Sequence, residues 1–159
     1  VVNAVYNQAN MVLVVLDNST TAMTGHQPHP GTGRTVMGEI VQKINIEQVL
    51  RGIGVTEIET INPLELEASV SCVKRMAEKS GVRAIIFKAP CIAVTKPKAP
   101  LHVDQDSCIG CKKCIRDLGC PAIVMNDGKI CIDASMCTGC HLCSQVCPVC
   151  AIAGGDDYE

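Results

Sequence analysis

The chain has 159 residues and a formal net charge of −2, from 14 Lys and Arg against 16 Asp and Glu, and its only aromatics are Tyr6, Phe87 and Tyr158. That length sets a prior of one domain or two small ones, and so few aromatics without a basic excess argue against binding nucleic acid. The longest unbroken apolar run, residues 11–16, falls far short of the roughly 20 residues that cross a bilayer as a helix, so no membrane association is expected. No charged-then-apolar leader opens the chain, and the first residue is Val1; the expectation is a cytoplasmic protein cut from a longer polypeptide.

Residues 1–9 read as the end of a helix. Residues 10–17 (NMVLVVLD) are a continuous apolar run closed by polar residues. This is the pattern of a strand covered on both faces, as in a parallel sheet. Residues 18–34 carry Ser, Thr, Gly, Pro and His with no apolar period, which predicts a long loop. It follows the C-terminal end of a buried strand, where open α/β sheets bind ligands. A short helix is expected after Asn45, stopping at Gly52, and a strand at 56–60. Asn62 and Pro63 predict a helix start, with Asn62 as N-cap, Pro63 at the first position and Glu65 three residues after the cap. Leu66, Val70, Val73 and Ala77 would form its buried face, and Gly81 would end it. Residues 82–87 (VRAIIF) read as another buried strand, giving a parallel unit with a right-handed crossover. Residues 96–100 (KPKAP) have the two prolines of a stiff linker. Charge divides nearby: residues 1–99 hold 10 basic and 8 acidic side chains, and residues 100–159 hold 4 and 8.

Twelve cysteines are the outlier, and ten of them fall between Cys108 and Cys150. Such crowding means a disulfide scaffold or metal ligation, and nothing points to the export that a disulfide scaffold needs. An internal repeat organises them. Residues 103–108 (VDQDSC) match residues 132–137 (IDASMC) at an offset of 29, and Cys111 and Cys114 match Cys140 and Cys143. Cys120-Pro121 matches Cys147-Pro148 at an offset of 27. Cys137, Cys140, Cys143 and Cys147-Pro148 form C-x2-C-x2-C-x3-C-P, the bacterial ferredoxin spacing, in which the fourth cysteine serves the other cluster of a pair. The expected ligand sets are therefore Cys108, Cys111, Cys114 and Cys147 for one 4Fe–4S cluster, and Cys137, Cys140, Cys143 and Cys120 for a second. Gly110 and Gly139 would let each loop turn tightly. Structural zinc, commonly held by two separated pairs, fits two triplets poorly. Cys72, Cys91, Cys131 and Cys150 are left over and expected to be buried, small apolar side chains, with Cys150 close enough to Cys147 to compete as a ligand. Asp104, Asp106, Asp133, Asp156 and Asp157 read as solvated surface, and His141 is the one titratable residue between ligands of the second repeat.

Residues 16–31 (LDNSTTAMTGHQPHPG) resemble the second half of the thiamine-diphosphate motif of 2-oxoacid:ferredoxin oxidoreductases. With the cysteine pattern behind it, the whole chain resembles the C-terminal part of the alpha subunits of indolepyruvate ferredoxin oxidoreductases. The resemblance implies a partial α/β thiamine-diphosphate-binding domain with a parallel sheet over residues 1–95, a linker at 96–100, and a small α+β dicluster ferredoxin domain of bacterial type at 101–155. It implies Mg²⁺ held by the side chain of Asn18 and the carbonyl of Thr20, with Thr24, Gly25 and His26 near the cofactor. The family's upstream Gly-Asp metal motif would fall before Val1, so the 159 residues alone are expected to show no turnover. No catalytic residue is assigned. The implied reaction is CoA-dependent oxidative decarboxylation of indolepyruvate or another aryl 2-oxoacid to an acyl-CoA and CO2, with electrons passing through two clusters to ferredoxin. The implied partners are a beta subunit and an external ferredoxin, with coenzyme A and the 2-oxoacid as substrates. A pyruvate-type oxidoreductase and a non-enzymatic dicluster electron carrier are the alternatives. The His-Gln-Pro-His-Pro segment argues against the carrier, since docking does not require it.

Overall fold

The computed structural model describes residues 1–154; Asp156, Asp157, Tyr158 and the last residue of the expected cluster domain lie outside them. Two compact units divide the chain, Val1–Thr95 and the segment from Lys96 onward. Among the described residues no helix is long and apolar enough to cross a membrane.

The first unit runs α1 (Val2–Tyr6), β1 (Met11–Asp17), α2 (Ile46–Ile53), β2 (Glu57–Ile61), α3 (Leu66–Glu78) and β3 (Val82–Lys88). Its three strands form a parallel sheet in the order β1-β3-β2. Ala84, Ile85 and Ile86 of the central β3 are almost wholly buried. Ala84 and Ile86 face Leu50 and Val55 around α2, while Ile85 faces Cys72 and Met76 of α3. The sheet is therefore covered on both faces, as an apolar central strand requires. β1 departs from the expectation of full burial: it is an outer strand, and Val14 and Leu16 are exposed.

Local sequence sets the helix ends, with three corrections. The Asn45 side chain accepts from the Gln48 N–H at 3.1 Å and caps α2. That helix passes Gly52 and stops at Gly54, whose φ of 105° suits a residue without Cβ. Asn62 does not cap α3. Its Oδ1 accepts from the Leu64 N–H at 3.0 Å, making a turn, and α3 begins at Leu66. The buried face of α3 is Ser69, Cys72 and Met76, whereas Val70 and Val73 are exposed. Buried Arg83 closes the far end of α3, donating to the Met76 carbonyl at 2.9 Å and to the Gly81 carbonyl at 2.7 Å. A cation there satisfies carbonyls that the helix leaves open. Asn45→Ala is expected to lower the first unit's unfolding free energy by about 1 kcal/mol, the usual worth of such a cap. Urea unfolding measures this, and an unchanged midpoint would contradict it.

The second unit runs β4 (Leu101–Val103), α4 (Lys113–Leu118), β5 (Ile123–Asn126), β6 (Lys129–Ile132), α5 (Leu142–Val146) and β7 (Ile152–Gly154). β5 and β6 form a hairpin whose two turn residues, Asp127 and Gly128, both have positive φ, as the tight Asp-Gly turn needs. The repeats pair with each other, not with themselves. β4 of the first pairs antiparallel with β7 of the second, and β6 of the second with β5 of the first. The Asp104 N–H donates to the Ala151 carbonyl and the Asp133 N–H to the Ala122 carbonyl, both at 2.8 Å. These two bonds are the same bond under the offset of 29. Leu101, Ala122, Ile123, Ile130, Ala151 and Ile152 are buried between the copies.

Candidate cluster and cofactor sites

Each cysteine triplet sits on a loop built the same way twice. Gly110 and Gly139 have φ of 65° and 68°, and Lys112 and His141 both have 61°. This alternation of left-handed residues curls the backbone between cysteines, and glycine is the residue that adopts it freely. Entry to each loop is held by an aspartate. Asp104 accepts from the Asp106 N–H at 3.0 Å and from the Ser107 hydroxyl, and its carbonyl receives the Cys108 N–H at 3.0 Å. Asp133 accepts from the Ser135 N–H at 2.8 Å and hydroxyl at 2.6 Å, and its carbonyl receives the Cys137 N–H at 3.0 Å. The Ser107 hydroxyl beside Asp104, and the Ser135 hydroxyl beside Asp133, hold both carboxyls below their ordinary range. Both aspartates are exposed, as expected of surface residues, and in addition their hydrogen bonds shape the turn that leads into the first cysteine of each triplet. Their shared place four residues before Cys108 and Cys137 was the available signal.

The third cysteine of each triplet lies on a short helix, Cys114 on α4 and Cys143 on α5. Each helix carries the chain away from its own loop, and the fourth cysteine arrives elsewhere. One cavity is lined by Cys108, Cys111, Cys114 and Cys147. A second is lined by Cys137, Cys140, Cys143 and Cys120. So each cavity gathers one triplet and the remote Cys-Pro cysteine of the other repeat. Among the described residues, no three His, Cys, Asp or Glu side chains converge on one point as ligands of a single ion do. A cube takes its thiolates at four separated corners, so its donors need only surround a common space. Apolar walls complete both cavities, with Ile130 and Ile152 in one and Leu101 and Ile132 in the other. Burial pushes the Cys143 thiol up to about 11, helped by neighbouring Cys140 and Cys137. Burial likewise raises Cys114, next to Cys111 and Cys147. Thiols so placed would ionise where a bound cation compensates the charge. The Ala151 N–H donates to the Cys147 sulfur at 3.3 Å. All twelve cysteines are free of disulfides.

Of the four remaining cysteines only Cys72 meets the expectation of burial. Cys91 and Cys131 are half-buried, and Cys150 is exposed, with φ of 51°. Cys150 lines neither cavity. Its N–H returns to the Cys147 carbonyl at 3.3 Å, which turns the chain outward there.

In the first unit, Asn18 follows β1 directly. The ladder between β1 and β3 runs on past the strands: the Ala89 N–H donates to the Asp17 carbonyl at 3.1 Å, and the Cys91 N–H to the Asn18 carbonyl at 2.9 Å. The Asn18 Oδ1 accepts from the Thr20 N–H at 3.2 Å, so Asn18 and buried Thr20 are brought together in one turn. Oδ1 and the Thr20 carbonyl are hard oxygens of the kind Mg²⁺ takes, and an amide oxygen accepting one bond keeps a lone pair free. Thr24, Gly25 and His26 lie instead on an exposed tip. A bridge between Thr21 and Gln27 and the bond from the His26 N–H to the Thr21 carbonyl at 3.0 Å close that tip beside Thr20. Thr24 also bonds Gln27 through its hydroxyl. His29 is not a free loop residue: its Nδ1 accepts from the Gly31 N–H at 3.1 Å and caps a tight turn. Sequence reasoning passed over a cavity of about 370 Å³ at the C-terminal ends of the strands, lined by Asp17, Lys43, Asn45, Thr60 and Lys88 among others.

Residues 1–87 match the family model of the thiamine pyrophosphate enzyme C-terminal TPP-binding domain, and residues 101–148 match that of the 4Fe-4S dicluster domain. The chain is similar to indolepyruvate oxidoreductase subunit IorA of Methanothermobacter thermautotrophicus, at 45% identity over 95% of this chain and 25% of that protein. It is 42% identical to the Methanothermobacter marburgensis subunit and 40% identical to that of Archaeoglobus fulgidus, with the same coverage of both chains. It thus spans about a quarter of the length of the curated relatives it matches. No solved structure matches. With a parallel sheet over the first match and a duplicated cysteine fold over the second, the chain belongs to the thiamine pyrophosphate enzymes, in their C-terminal TPP-binding domain, and carries a 4Fe-4S dicluster domain after it.

Proposed function

We propose that the chain works in an aryl 2-oxoacid:ferredoxin oxidoreductase, in the CoA-dependent oxidative decarboxylation of indolepyruvate to indoleacetyl-CoA and CO2. Residues 1–95 act as part of the thiamine-diphosphate domain, 96–100 as linker and 101–155 as the electron-transfer domain. When bound, thiamine diphosphate supplies an electron sink for the carbon chemistry and the iron–sulfur clusters supply one-electron steps. The residues present suit both groups. Asn18 Oδ1 and the Thr20 carbonyl would offer oxygen ligands to a Mg²⁺ ion, and Thr24, Gly25 and His26 stand on the tip beside them. Cys108, Cys111, Cys114 and Cys147 hold one 4Fe–4S cluster, and Cys137, Cys140, Cys143 and Cys120 the other. Two one-electron sites suit a two-electron oxidation that ends on ferredoxin, a one-electron acceptor. A beta subunit of the same oxidoreductase completes the assembly.

The single observation carrying this reading is the pair of cavities, each lined by one triplet and one exchanged cysteine. Anaerobic reconstitution is expected to load about eight iron and about eight sulfide per chain, from two 4Fe–4S sites. Iron and acid-labile sulfide assays check it. Near-stoichiometric zinc without sulfide would refute the assignment.

A further inference from the structure

The two repeats match in fold but not in cover. Gly110 and Gly139 hold equivalent places. A Cβ on Gly110 would meet nothing within 4 Å among the described residues, whereas one on Gly139 would meet the Ala99 carbonyl and the Lys98 Cβ, each at 2.7 Å. Burial follows the contact. Ile109, Gly110, Cys111 and Lys112 are all exposed; their counterparts Thr138, Cys140 and His141 are half-buried and Gly139 is buried. Of the cysteines that gather by triplet and Cys-Pro partner around the two cavities, Cys111 alone is exposed.

The cover over the second loop is the segment 97–99. The Lys98 N–H donates to the Thr138 carbonyl at 3.3 Å, and the bare Gly139 lets the segment come closer than any side chain would allow. Pro97 and Pro100 stand on either side of Lys98 and Ala99 and fix φ at about −65° there. Beyond Pro100 the chain is pinned, because Leu101 is buried and pairs with Gly154 of β7. The repeat explains why the first loop has no such cover. Under the offset of 29, Lys98 and Ala99 correspond to Asp127 and Gly128. Those two residues make the tight turn between β5 and β6, and none of their atoms comes within 4 Å of a Cβ on Gly110.

Resting on the cluster assignment proposed above, we infer that residues 97–99 are a strap closing the second cysteine loop, so that the chain exchanges iron with its surroundings at Cys111 first and at Cys140 only when the strap lifts. At the open loop the bond between the Cys111 sulfur and iron breaks, iron(II) passes to a chelator in water, and the thiolate takes up a proton; no electron is transferred. At the closed loop Cys140 reaches the same chemistry only in the fraction of molecules whose strap is raised, and its rate scales with that fraction. One backbone hydrogen bond and one close contact hold the strap, so its opening is a local event that leaves the rest of the unit folded. The first loop is the place where iron is lost and replaced, and the second is the site that the fold protects.

The test is an anaerobic challenge of the cluster-loaded chain with a soluble iron(II) chelator and iodoacetamide, which forms a sulfur–carbon bond on each released thiolate as iodide leaves. Released iron and alkylated cysteines are followed over time, and iron and sulfide are assayed in every variant beforehand. The parent chain is expected to lose about half of its iron in a fast phase, as one of two sites, and the rest about tenfold more slowly, since a bond and a contact both hold the strap. Among the cluster cysteines, Cys111 should be alkylated first, with Cys137, Cys140 and Cys143 intact through the fast phase. Lys98→Pro removes the N–H donor and is expected to speed the slow phase about fivefold, the effect of one backbone hydrogen bond on an opening equilibrium. Replacing Pro97 and Pro100 together by Gly keeps that donor, frees the backbone on both sides of it, and is expected to speed the slow phase as well. The fast phase should be unchanged in both variants and serves as the internal reference. Release of all iron in a single phase, alkylation of Cys140 before Cys111, or loaded variants whose slow phase matches the parent's would each overturn the strap and leave the cluster reading intact. A parent chain that takes up neither iron nor sulfide would overturn that reading, and the strap with it.

Discussion

Cys120→Ala is expected to empty the site of the second triplet and leave that of the first loaded. Iron should fall from about eight to about four per chain, with visible absorption reduced to about half, since one of two 4Fe–4S clusters loses a ligand. Cys120 lies in the first repeat but lines the cavity of Cys137, Cys140 and Cys143. Without its thiolate, one iron corner has no protein donor. The remaining three thiols, Cys137, Cys140 and Cys143, would have to hold the group alone. Cys150 offers no substitute, being exposed and outside both cavities. Anaerobic alkylation followed by peptide mass mapping gives the pattern directly. In the variant, Cys137, Cys140 and Cys143 should become reactive while Cys108, Cys111, Cys114 and Cys147 stay protected. The opposite pattern would show that each repeat keeps its own fourth cysteine. Cys150→Ala should retain about eight iron and serves as the control.

The grouping of each triplet with the other repeat's Cys-Pro cysteine around one cavity is the one that the C-x2-C-x2-C-x3-C-P spacing suggests. The structure adds the reason. The strands and the Asp104 and Asp133 bonds cross between repeats in the same sense as the cavity-lining cysteines. The parallel sheet was legible too, from the apolar runs of β1 and β3. The buried face of α3 was not. Val70 and Val73 outrank Ser69 in hydrophobicity, yet Ser69 is buried because its hydroxyl donates to the Asn62 carbonyl at 3.2 Å. A satisfied polar group costs little inside, and an apolar count cannot see the bond. Asn62 misled for a related reason: Asn favours turns and caps alike, and a turn across Pro63 was the outcome. The loop after β1 showed the same limit. Its composition marked a loop, but the bond that holds the Asn18 carbonyl comes from Cys91, far along the chain. The unequal cover of the two cysteine loops was equally hidden, since sequence repeats report what is shared and the difference comes from Lys98 and Ala99.

That difference predicts unequal tolerance at two matched glycines. Gly110→Ala and Gly139→Ala both place a Cβ on a left-handed residue, with φ of 65° and 68°, which costs about 1–2 kcal/mol. At Gly110 nothing else is lost, because the space around it is open. At Gly139 the new carbon would sit 2.7 Å from the Ala99 carbonyl oxygen, which is backbone and cannot rotate away. Either the segment lifts, breaking the bond from the Lys98 N–H to the Thr138 carbonyl, or the loop deforms and its cysteines shift. Overpacking of this kind adds about 1–3 kcal/mol, so Gly139→Ala should destabilise the second unit by about 2–5 kcal/mol in total. Anaerobic urea unfolding of the loaded chain, followed by loss of visible absorption, compares the pair on one scale. Gly139→Ala should unfold at clearly lower urea than Gly110→Ala. Equal midpoints would mean that Lys98 and Ala99 do not lie against the second loop in solution, and the contrast between a covered loop and an open one would go with them.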